Sequence, residues 1–174
     1  MPSPRRDDIP PPTGPTLKIF RLKANKSGTF ALFGSRVHGF WTHWAGGCSE
    51  PCTEPIENCV GHQRQWPLRW KGYLHCHWQE RAEEGFLELT PVARDELLLL
   101  LGGEEELRGS RVTVARGGGD KSRLKIGIMP RWKAWSGTEV PPEKDPENTL
   151  IKLWEFGNKL RKNPAKEVKS ETVS

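Results

Sequence analysis

One stretch, CSEPCTEPIENCVGH from Cys48 to His62, constrains this chain more than any other. It gathers three of the four cysteines and one of the five histidines. The spacing is Cys48-x3-Cys52, six intervening residues, then Cys59-x2-His62. Two short pairs so arranged can bring four soft or borderline ligands to the corners of a tetrahedron, as a structural zinc ion requires. Gly46, Gly47, Pro51 and Pro55 suit the tight turns of such a loop.

Disulfides are the competing use of these thiols. The N-terminus, MPSPRRDDIPPPTGPT, has no apolar leader, and the LLLLL run at 97–101 is too short to span a bilayer. The expectation is a cytoplasmic (intracellular) protein with no membrane partner, in which cysteines stay reduced. The expected cofactor is Zn2+, held by Cys48, Cys52, Cys59 and His62. Four protein ligands leave no open position, so the metal is read as structural. Two other residues compete for the place of His62. His43 lies just before the loop, and Cys76 is a further thiol. Strand alternation puts Cys76 between Leu74 and Trp78, where it reads as a small buried hydrophobe.

The loop interrupts a series of strands. TLKIFRLK at 16–23 alternates apolar and polar residues, and SRVHGFWTHW at 35–44 and RWKGYLHCHW at 69–78 are rich in aromatic and β-branched residues. FALF at 30–33 fits either neighbouring strand, and GFLEL at 85–89 continues the sheet. A helix follows, with Thr90 as N-cap, Pro91 in the first position and Gly102-Gly103 as the stop. SRVTVAR at 110–116 and SRLKIGIM at 122–129 form a hairpin around GGGDK. A proline-rich linker then leads to a second helix with an apolar stripe of Leu150, Leu153, Trp154 and Leu160.

These elements divide the chain into a disordered proline-rich N-terminus (1–15), a zinc-stapled β-barrel domain (16–138), a linker (139–148), and a C-terminal helix and tail (149–174). The fold class is mainly β. The order of three strands, one helix and two strands resembles that of OB-fold nucleic-acid-binding proteins, five-stranded Greek-key barrels. The resemblance covers roughly residues 16–129 and is one of architecture. The zinc loop is an insertion relative to that fold, and other small barrels with one helix share the order.

The formal charge of +5 admits a polyanionic partner. Alternation sorts the strand residues into two faces. Arg36, His38, Phe40, Thr42 and Trp44 share one face of the second strand; Arg69, Lys71, Tyr73, His75 and His77 share one face of the third. The OB resemblance implies binding on these strands and on two loops, which here carry Lys23 and Lys26, and Lys121 and Arg123. The expected nucleic-acid contacts are therefore Lys23, Lys26, Arg36, Phe40, Trp44, Arg69, Lys71, Tyr73, Lys121 and Arg123. Aromatics would stack on bases of single-stranded DNA or RNA while the cations meet phosphates. The alternative is a zinc-stabilised scaffold or accessory subunit of a larger protein or ribonucleoprotein assembly, with the C-terminal helix docking a protein partner. No zinc-protease, deaminase or nucleophile-elbow motif is present, and GGGD lacks the Lys-Ser/Thr of a phosphate loop. The chain is not expected to be an enzyme.

Overall fold

The computed structural model describes residues 17–45, 48–119, 122–130 and 140–152. Among them, eight strands form one mixed sheet: β1 (Lys18–Phe20), β2 (Ser27–Leu32), β3 (His38–Ala45), β4 (Cys48–Pro51), β5 (Leu68–Trp78), β6 (Glu83–Leu89), β7 (Arg111–Arg116) and β8 (Leu124–Met129). The one-turn helix α1 (Val60–Gln63) lies between β4 and β5, and α2 (Pro91–Leu101) follows β6.

The order β1-β6-β5-β2-β7-β8, with β3 and β4 branching from β5, differs from the expected five-stranded barrel. The sheet is not closed: among the described residues its edges, β1 and β8, do not pair with each other. The branch arises because β5 is eleven residues long. Its first half pairs with β3 from Leu68 to Tyr73, and its last residues, Cys76 to Trp78, pair with β2. On its other side β6 runs only from Trp78 back to Gly72. Residues 69–71 therefore extend past the end of β6.

The strand alternation read from the sequence places β5 correctly. Leu74, Cys76 and Trp78 enter the main core with Phe20, Phe30, Leu87, Leu89 and Val112, and α2 covers this face through Ala93 and Leu97. The helix starts where its capping residues dictate. The Ala93 N–H donates to Thr90 Oγ1 at 3.2 Å, Pro91 fills the first position, and Gly102 ends the helix at φ +92°. Only one face of a helix meets a core, so the five-leucine run leaves Leu99 83% exposed.

The opposite face of β5 is also covered, which the sequence did not lead us to expect. Tyr73 and Phe86 form a second cluster with Leu150, and Leu17, Ile19 and Phe40 pack around it. Leu150 belongs to a helical turn at 147–152, and its N–H donates to Pro146 O at 2.9 Å. The remaining stripe residues, Leu153, Trp154 and Leu160, and the N-terminal 1–15 lie outside the described residues.

Candidate metal centre and basic cleft

Most of the cysteine stretch is structured. Residues Cys48–Pro51 form β4, an edge strand that pairs with β3 in the register His43↔Glu50 and Thr42↔Pro51. The chain then leaves the sheet, but the Cys52 N–H still donates to Trp41 O at 2.8 Å. Cys59 precedes α1, and the Gln63 N–H donates to its carbonyl at 3.0 Å. This first turn carries His62 back toward β3.

Four side chains converge as a result. The ligand atoms of His43, Cys52, Cys59 and His62 all lie within 4.8 Å of one another and could hold a metal ion. Cys52 Sγ is 3.6 Å from His62 Nδ1, Cys59 Sγ is 3.4 Å from His43 Nε2, and the two sulfurs are 4.0 Å apart. Cys52, Cys59 and His62 were expected. His43 joins them from the strand, in the place given to Cys48. Cys48 sits at the start of β4, opposite Ala45, and its side chain lies outside the described residues. Cys76 is excluded as a ligand because it is fully buried in the main core.

The surroundings suit metal binding. His43 Nδ1 lies 3.1 Å from Trp66 O, which can accept its proton and leave Nε2 free to ligate. Gly61 is buried against this ring: a Cβ there would lie 2.2 Å from His43 Cγ. Burial alone would raise the Cys59 thiol, but hydrogen bonds from His62 and Thr53 outweigh it and lower its pKa to about 5. Cys59 is thereby poised as a thiolate, the ligating form. Burial and the neighbouring Cys59 raise the Cys52 thiol instead. Two thiolates this close repel one another, and a divalent cation between them removes that repulsion.

The second feature lies where β5 outruns β6. Among the described residues, a cleft of about 470 Å³ is lined by five cations, Arg21, Arg69, Lys71, Arg116 and Arg123, against one carboxylate, Glu88. Trp70 and Leu89 supply apolar wall. Glu88 is shared, accepting from Arg21 at 2.9 Å and from the Tyr73 hydroxyl at 3.2 Å, with Lys71 Nζ 3.4 Å away. Arg123 is exposed and has no hydrogen bond or ion pair among the described residues. The Arg69 guanidinium lies 5.6 Å from the centroid of the exposed Trp44 ring, joining the cleft to the strand that carries His43.

The expected nucleic-acid contacts thus divide. Arg69, Lys71 and Arg123 line the cleft, with Trp44 beside Arg69. Lys23 and Lys26 are exposed in the β1–β2 connection, which the bond from Asn25 N–H to Gly117 O (3.1 Å) ties to the β7–β8 turn. Lys121 lies outside the described residues. Arg36 is exposed at a separate gap that is also lined by Phe40, Asp145 and Glu147. Tyr73 requires correction. It is 1% exposed, its hydroxyl is engaged by Glu88, and burial raises its pKa far above the ordinary value. It offers no open ring to a base, and half-buried Phe40 packs 6.0 Å from it. Both aromatics lie under the 140–152 segment, so an alternating strand pattern found the right face but not its cover. Arg21 and Arg116 were missed, because each comes from an element that only long-range pairing brings to the cleft.

Comparison with known protein families, with curated proteins and with solved structures gives no match to this chain.

Proposed function

We propose that this is a nucleic-acid-binding protein, built to hold single-stranded DNA or RNA and stapled by a structural zinc ion. The cleft carries the reading: among the described residues five cations face one carboxylate, and an exposed tryptophan lies beside Arg69 at its margin. Phosphodiesters supply the missing negative charge, and bases are the flat partners that an indole accepts.

The donor set supports zinc. A tetrahedral ion with the usual zinc–sulfur and zinc–nitrogen lengths sets sulfurs about 3.8 Å apart and sulfur about 3.6 Å from nitrogen. The 4.0, 3.6 and 3.4 Å separations at this site are close to those values. Four protein ligands would complete the coordination, which favours a structural over a hydrolytic metal. Free Cys52 and Cys59 suit a reducing, intracellular setting.

The test is anisotropy of a labelled single strand of about twelve nucleotides, in DNA and RNA forms. Four phosphate contacts give a salt slope near −2.8, so affinity should fall about 50-fold between roughly 50 and 200 mM salt. Arg69→Ala and Arg123→Ala should each make the slope shallower by about one contact. A second reading, the scaffold, draws on the exposed Trp41, Ile56, Val60 and Leu68, apolar residues on β3, at the start of β5 and in the segment bearing Cys59. No binding at low salt to either nucleic acid would favour that reading.

A further inference from the structure

The segment at 140–152 is held on the sheet by polar contacts as well as by Leu150. The Arg108 guanidinium donates to Phe33 O, to Val140 O at 3.0 Å and to Pro141 O at 2.9 Å. Glu143 accepts from the Ser35 hydroxyl at 2.5 Å and lies 3.5 Å from His38 Nε2. Lys144 Nζ reaches Glu84 at 2.8 Å. At the centre stands His75, 0% exposed, whose Nδ1 accepts the Lys144 N–H at 3.1 Å while Nε2 lies 2.7 Å from Glu84 Oε1.

What the segment covers is the aromatic part of the face that Arg36 borders, Arg36 itself staying exposed. Leu150 packs with Tyr73 and Phe40, while Asp145 and Glu147, with Glu104 from outside the segment, line a gap of about 430 Å³ with Arg36, His38 and Phe40.

We propose that residues 140–152 are a strap whose Asp145 and Glu147 compete with an anionic single strand for Arg36 and Phe40, and that His75 is its latch; the competition rests on the nucleic-acid reading above. The latch works through one proton. Nδ1 can accept the Lys144 N–H only while unprotonated, and its protonation would set two N–H groups against each other. The groups facing the ring are Glu84 from β6, Glu143 and Lys144 from the strap, and the uncharged rings of Phe33 and Phe86. Burial lowers the His75 pKa, against the raising influence of Glu84. A released ring would titrate near the ordinary value of about 6.5, so the strap holds fully above that pH and loosens as pH falls below it.

The experiment is amide exchange on the full-length, zinc-loaded protein, corrected for intrinsic rates. Between about pH 7.5 and about pH 5.5, opening at Lys144 and Leu150 should rise up to about tenfold, while Leu74 and Leu87 stay protected. His75→Asn keeps an acceptor toward Lys144 without the titration, and should flatten the profile. If that variant does not fold, the ring nitrogen shifts of wild-type His75 report the same protonation. Competition is read with a labelled thymidine oligomer of about twelve nucleotides at fixed pH. Leu150→Ala and Glu143→Gln should raise the open population and tighten binding about threefold or more. Exchange that ignores pH, or that rises in step with Leu74, overturns the latch. Unchanged or weaker affinity in both variants overturns the competition. No binding by any of these proteins, with exchange still pH-dependent, overturns the nucleic-acid reading and leaves the latch standing.

Discussion

Gly61 and His43 share a space that admits only one side chain. A Cβ at position 61 would sit 2.2 Å from the imidazole, and the ring cannot retreat without leaving Trp66 O and Cys59. Gly61→Ala should therefore weaken zinc binding about 10- to 100-fold, the range seen when a ligand loses its support. Competition with a chromophoric chelator measures it, and unchanged affinity would refute the arrangement. Cys76→Ala is the control and should keep full metal affinity, since that thiol lies in the core. The cysteine spacing made three ligands legible from the sequence alone. His43 was harder to see because its approach to Cys52 depends on β4 pairing with β3, and Cys48–Pro51 reads as loop: one of its four residues is a proline and none is β-branched.

Among the elements, the helix and the β7–β8 hairpin were legible because their signals are local: Thr90 with Pro91, Gly102 with Gly103, and GGG between two alternating runs. β2 was not. Phe30, Ala31 and Leu32 are all fully buried, so the strand lacks the alternation that marks a half-buried one. From sequence, the C-terminal segment reads as a linker followed by a helix whose apolar stripe packs either on the barrel or on a partner. Leu150, at 0% exposure against Tyr73 and Phe86, shows that at least its first turn belongs to the fold. Truncation after Val140 should accordingly cost at least about 2 kcal/mol in urea unfolding, from the lost leucine burial alone. A truncated protein as stable as the full chain would show that the contact contributes nothing.

For the whole molecule, the mainly β class followed from composition and pattern, but the sheet order did not, because strand partners are chosen across long sequence separations that no local signal records. β1 lies parallel to β6 with Lys18 opposite Gly85, and β2 meets β7 with Phe30 opposite Val112. Those separations also set a timetable. The four candidate metal ligands and strands β3 to β5 all fall between His38 and Trp78, so they need close only short loops, whereas β1 reaches β6 and β2 reaches β5 and β7 across longer separations. In refolding with zinc present, pulse-labelled amides of β3, β5 and β6 should gain protection before those of β1 and β2, and the reverse order would refute this. During synthesis on the ribosome, the β3–β5 hairpin becomes the first assembled piece, and β1, although made before it, has no partner until β6 follows.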